Sequence, residues 1–179
     1  MKKVIYPLMA AVILISSAFV TATSADEFKL KSGSKIAFKS KDPNGEFKTV
    51  KGTVKFDEAD LAGSKFELTF EVASISTGNG MQNKKAQTEE WFNAAKYPNI
   101  KFVSTKIEKS GSDYSVTGNL SMKGATKAYK VPLKVAKSGT DLTFTGTFNV
   151  KRSDFKVGKS SDAVPDVMSI SYSIPVTKK

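Results

Sequence analysis

Few side chains in this 179-residue chain can do acid–base or redox chemistry. It has no histidine and no cysteine, which removes the commonest general base, the commonest transition-metal ligand and every thiol nucleophile. Serine and cysteine triads, zinc sites and histidine-ligated haem are thereby excluded. Two acidic groupings remain, Glu89 with Glu90, and Asp57 with Glu58 and Asp60. Neighbours this close in sequence rarely converge on one scissile bond, so both groupings read as solvated surface. Gly78-Asn79-Gly80 is too short for a phosphate loop and reads as a turn. No catalytic residue, metal ligand or cofactor is expected.

One charged residue stands apart. Arg152 is the only arginine, and it has the same parity as Leu142, Phe144, Phe148 and Val150. If that strand continues, the guanidinium points to the apolar side, where an unpaired charge costs several kcal/mol. Two roles fit. Arg152 is either a clamp for the polar head of a ligand at a barrel mouth or half of an ion pair at the rim. Asp154, Asp166, Glu89 and Glu90 are its candidate partners, and the ion pair is the more ordinary outcome.

Aromatic residues supply the other candidate site. Phe38, Phe56, Phe66 and Phe70, and later Phe102, Phe144 and Phe148, fall on the apolar parity of alternating segments, joined by Ile170 and Tyr172. An eight-stranded barrel is just wide enough to be filled by such side chains or to hold one small ligand. Trp91 and Phe92 lie outside the alternation. They suit the gating of an entrance or the anchoring of a helix to the core.

The elements that must position these residues are strands. Period-two alternation runs from Lys65 to Val72, with Phe66, Leu68, Phe70 and Val72 on one face. Similar segments surround Ile36, Val54, Ile100, Val116, Val131, Phe144 and Ile170, which makes about eight strands. Asp42-Pro43-Asn44-Gly45, Leu61-Ala62-Gly63-Ser64, Ser110-Gly111-Ser112-Asp113 and Ser138-Gly139-Thr140-Asp141 separate them as turns. Strands joined by short turns are antiparallel neighbours, and closing the sheet removes its edges. The expected fold is all-β, a single antiparallel eight-stranded barrel. Gly78 to Pro98 breaks the pattern. Glu89 and Glu90 open a short helix there, Pro98 ends it, and the segment caps one end of the barrel.

The N-terminus assigns a compartment. Lys2 and Lys3 precede an apolar stretch from Val4 to Val20, and small residues follow up to Ala25. That layout is a cleaved secretory signal peptide over residues 1–25, with the mature domain at 26–179 starting near Asp26 and delivered to the periplasm. The mature part carries 26 basic against 17 acidic side chains, a net +9. Its lysines are spread singly along strands, whereas nucleic-acid readers cluster arginines beside exposed aromatics. The expectation is no nucleic-acid partner, and a basic exterior suited to peripheral contact with an anionic membrane.

Two segments resemble a known family. They are Ser74-Ile75-Ser76-Thr77-Gly78-Asn79 and the run from Trp91-Phe92-Asn93-Ala94-Ala95 through Tyr97-Pro98 to Phe102. Three later segments agree: Val116 to Lys127, Val150-Lys151-Arg152-Ser153-Asp154-Phe155, and Asp166-Val167-Met168-Ser169-Ile170. Together they are similar to the periplasmic YceI-like proteins. The resemblance implies a lipocalin-like extended barrel that binds polyisoprenoids or other long-chain amphiphiles in its lumen. Two departures stand out. Met81-Gln82-Asn83-Lys84-Lys85 replaces the Arg-Asp pair usual in that family, and Lys156 replaces the glycine after Arg-x-Asp-Phe. An envelope structural protein or outer-membrane barrel is the competing class. Such a barrel needs an apolar outer belt with aromatic girdles, and here the outer face of nearly every strand bears Lys, Thr, Glu or Ser. An enzyme ranks third.

Overall fold

A computed structural model of the chain describes residues 25–159 and 164–179. Apart from Ala25, the segment read as a signal peptide lies outside the described residues. The strands are β1 (Asp26–Leu30), β2 (Lys35–Lys39), β3 (Gly45–Phe47), β4 (Val50–Phe56), β5 (Lys65–Glu71) and β6 (Ile75–Ser76). After the helix α1 (Gly80–Gln87) come β7 (Asn99–Ser110), β8 (Asp113–Met122), β9 (Ala125–Ser138), β10 (Asp141–Lys151) and β11 (Val167–Lys178). In β5 the period-two pattern acts as expected. Phe66, Leu68 and Phe70 are buried, while Lys65 and Glu67 face water.

The ring β1-β4-β5-β7-β8-β9-β10-β11 closes because β11 pairs with β1, and every pairing is antiparallel. This is the eight-stranded barrel that the alternation implied. The three remaining strands are continuations of ring strands. β1 and β2 both lie along β11; between them the chain advances five residues, Leu30 to Lys35, against three on the partner, Val176 to Ser173. Extra residues of this kind bulge out and bend the strand. β3 continues β4 in the same way. β6 continues β5 after a 3-10 turn at Val72–Ser74. These breaks divide eight long strands into eleven pieces.

The two ends of the barrel differ. At the far end Phe56 packs edge-on against Tyr114 and Phe144, at 5.5 and 5.3 Å between ring centres. Phe66 meets Phe144 at 5.0 Å. At the other end, the mouth, loops 40–44 and 77–98 and residues 152–159 and 164–166 gather with the β8–β9 turn at Lys123 and Gly124.

The capping helix is real but lies earlier than expected. It spans Gly80–Gln87, with Asn79 as N-cap accepting from the N–H groups of Met81 and Gln82. Residues 88–97 form successive turns instead. Glu89 and Glu90 therefore do not open a helix. The correction has a clear cause. Asn79 between two glycines reads as a turn, and α1 has almost no apolar face, with Ala86 its one buried residue.

Candidate functional site

Two adjoining cavities occupy the barrel. The inner one, of about 100 Å³, is lined by Phe66, Phe70, Phe102, Phe144, Phe148 and Tyr172, with Leu68, Val116 and Leu133 among the aliphatic residues between them. Tyr172 is the only lining residue with a polar side-chain atom. Its hydroxyl is spent on the Pro132 carbonyl, which it reaches at 2.5 Å. Burial pushes that phenol well above its ordinary value, so it stays neutral.

The outer cavity, of about 220 Å³, lies under the mouth loops. Phe38, Trp91, Phe92 and Arg152 line it, together with the polar side chains of Asp42, Thr77, Gln82 and Lys85. Phe47, Met122, Val150 and Ile170 belong to both walls, so the cavities meet end to end. Polarity thus increases outward from the inner cavity to the outer one.

Eleven of the twelve residues singled out from the sequence line one cavity or the other. Phe56 is the exception, and here the expectation is corrected. It is 3% exposed and sits behind Phe66 and Phe144, where it helps close the far end. Shared parity puts a side chain inside a barrel without giving its depth along the axis.

Arg152 is interior but differently partnered than expected. It is 7% exposed. The strand ends at Lys151, and Arg152 begins a 3-10 turn, Arg152–Phe155. Its Nε donates to Pro165 O at 2.9 Å, Nη1 to Val157 O at 2.6 Å, and Nη2 to Val164 O at 2.5 Å. Its guanidinium carbon stands 5.4 Å from the Trp91 ring centre, a cation–π contact. No carboxylate forms an ion pair with it among the described residues. Asp166 instead accepts from the Ser153 backbone N–H and hydroxyl, both at 2.8 Å. Asp154 accepts from Tyr129 Oη at 2.9 Å. Burial and that carboxylate push the Tyr129 phenol up to about 12. Glu89 and Glu90 are exposed. The guanidinium is therefore committed to the main-chain carbonyls of Val157, Val164 and Pro165.

Sequence reading missed three participants. Phe47 lines both cavities and meets Phe92 edge-on at 5.8 Å; its two-residue spacing from Gly45 was the available signal. Lys123 has a left-handed backbone, φ 48°. Its ammonium donates to Glu90 O at 2.8 Å and Lys156 O at 2.7 Å, tying two mouth loops together. Desolvation holds that ammonium below the usual lysine range despite Glu89 and Glu90 nearby. Lys85 lies above Trp91, with Nζ 5.7 Å from the ring centre. Finally, the Trp91 indole N–H is buried with no hydrogen-bond partner among the described residues. An unmet donor of this kind costs about 1–3 kcal/mol.

Comparison with known proteins adds the following. Residues 22–176 match the model of the YceI-like domain. The crystal structure of Burkholderia cenocepacia BcnA superimposes with a TM-score of 0.79 at 34% identity, covering 83% of this chain and all of that one. Escherichia coli protein YceI is 37% identical over 83 residues, 46% of this chain and 44% of its own length. This chain thus matches less than half the length of that curated relative. A polyisoprenoid binding domain from Saccharophagus degradans shares the fold at 14% identity, with a TM-score of 0.66 over 87% of this chain.

Proposed function

The chain belongs to the YceI-like family, and on that premise we propose that it is a periplasmic binding protein for a long-chain amphiphile. The hydrocarbon tail lies in the inner cavity and the polar head at the mouth. One observation carries this reading. The inner wall is made of apolar side chains and one hydroxyl already spent inside the protein, whereas the outer wall adds Lys85, Gln82, Thr77 and Asp42. Each methylene moved from water into such a lining contributes about 0.8 kcal/mol. A head with acceptor oxygens would meet Lys85 and Gln82. The polyisoprenoid binding domain from Saccharophagus degradans, which has this fold, supports the same ligand class.

Cross-strand ion pairs on the outer surface, such as Lys35 with Glu46 and Lys178 with Asp26, argue against a lipid-facing belt. The binding reading therefore stands ahead of the outer-membrane barrel.

Titrating the detergent-free protein with a fluorescent 16-carbon fatty acid tests the proposal. Saturable binding at micromolar or lower concentration, displaced by a polyprenyl alcohol, is expected. A probe that stays free at every protein concentration would contradict it.

A further inference from the structure

The barrel wall has one incomplete seam. β10 pairs with β11 along its whole length, Asp141 to Lys151. β8 pairs with β9 from Ala125 to Leu133. Between β9 and β10, however, the ladder covers only Asp141–Thr145 against Lys134–Ser138. Above the Thr145–Lys134 rung the two strands exchange no ladder bond, so neither Val131–Leu133 nor Gly146–Asn149 has a main-chain partner across the seam. The sequence favours this. Pro132 has no N–H to donate, and at Gly146 the β9 backbone comes so close that a Cβ would stand 2.2 Å from the Pro132 carbonyl oxygen, so the unpaired stretch lies mouthward of that contact.

Side chains close the seam where the backbone does not. Tyr172 lies opposite Gly146 on β11. Its ring crosses the glycine, where a Cβ would come within 2.6 Å of the phenol oxygen. The Tyr172 hydroxyl then caps the Pro132 carbonyl of β9 at 2.5 Å. Phe148 stands beside it, 6.5 Å from Tyr172 and 6.1 Å from Tyr129 between ring centres. Tyr129 finishes the row at the mouth side, accepting from the Lys151 N–H at 3.4 Å. Phe148 and Tyr172 are also part of the inner cavity wall. A row of rings held by the hydroxyls of Tyr172 and Tyr129 can swing aside at the cost of side-chain rotations and those few bonds, whereas a ladder would have to be unzipped.

We propose that the β9–β10 seam is a lateral passage through which the distal end of a polyprenyl-length tail leaves the lumen. This rests on the binding function proposed above and extends it to tail length. From Val150 near the mouth to Phe144 at the floor is six residues, about 20 Å at roughly 3.3 Å per residue. The far end is sealed by Phe56 and Phe144, and the narrow inner cavity leaves no room for a long chain to double back. A short acyl chain ends inside. A polyprenyl chain of several times that length does not, and the seam opens directly from the same wall.

The chain has no cysteine, so a cysteine pair at exposed positions, Lys130→Cys and Asn149→Cys, can be bridged across the seam specifically. A short bis-methanethiosulfonate linker closes the passage, and dithiothreitol reopens it in the same molecule. A 40-carbon polyprenyl alcohol should bind at least tenfold more weakly to the bridged protein and recover on reduction, while a 16-carbon fatty acid binds within twofold in both states. Equal binding of the long chain to bridged and reduced protein would overturn the passage and leave the lumen intact. Failure of both probes to bind the reduced protein would overturn the lumen, and the passage with it. Tyr172→Phe keeps the ring and removes its tether to Pro132. It should speed polyprenol uptake at least threefold; an unchanged rate would also count against the passage.

Discussion

The Arg152 guanidinium stacks on Trp91 with 5.4 Å between its carbon and the ring centre, while its nitrogens are bonded to carbonyls of the loop that follows it. The only arginine and the only tryptophan in the chain thus hold the mouth together from two different loops. Charge is used here to organise main chain. Removing it should change stability more than ligand preference. Arg152→Met retains the apolar stem and is expected to lower unfolding stability by about 2–4 kcal/mol, since several carbonyls lose a charged donor. The ratio of affinities for a fatty acid and a bare alkane of equal length should stay within twofold. A tenfold fall in that ratio with unchanged stability would make Arg152 a head-group clamp.

Lys156 offers a test of backbone strain. It sits at φ 55°, in the left-handed region that favours glycine. Its recorded hydrogen bonds use only the main chain, N–H to Ser153 O and its own carbonyl to Lys123. Lys156→Gly should therefore stabilise the protein by about 0.5–1 kcal/mol in denaturant titration. A loss of stability would mean that the lysine side chain makes a contact outweighing its strain.

Val116 distinguishes an open lumen from a packed core. It is 3% exposed and faces the inner cavity. Enlarging a residue in a filled core costs about 1–3 kcal/mol. If the space is free, Val116→Phe should cost less than 1 kcal/mol and reduce fatty-acid affinity at least tenfold. A large destabilisation with retained binding would show that the chain lies elsewhere.

Acid should loosen the mouth through Asp166. The Ser153 hydroxyl and N–H, with Arg152 close by, hold its carboxyl below the usual carboxylate value of 3.8. A depressed folded-state value means that the ionised form is favoured by folding. Its contribution is complete above the ordinary value and fades as pH falls through the lower folded value. Emission from Trp91 should accordingly change below about pH 4, and Asp166→Asn should flatten that part of the profile. Superimposable acid profiles for the two proteins would separate Asp166 from the mouth.

The sequence announced the barrel because burial imposes a period of two on every long strand, and Phe66, Leu68 and Phe70 display it without interruption. It also put Phe144, Phe148 and Tyr172 inside. Other features depend on information that parity does not hold. Whether Phe56 lines the lumen or seals its end depends on depth along the axis. The partners of Arg152 are carbonyls of a loop, and carbonyls belong to every residue type. The α1 helix is nearly all polar, so no apolar stripe marked it. The seam beside Gly146 was hidden because alternation continues through β9 and β10 whether or not they pair.

Native mass spectrometry of the mature protein, purified without detergent and incubated with a 40-carbon polyprenyl alcohol, tests ligand carriage most directly. A one-to-one complex is expected that survives desalting, and it should be lost in Val116→Phe while wild type retains it. A spectrum holding only the apo mass, at ligand concentrations that saturate the solution, would contradict a lipid-binding lumen.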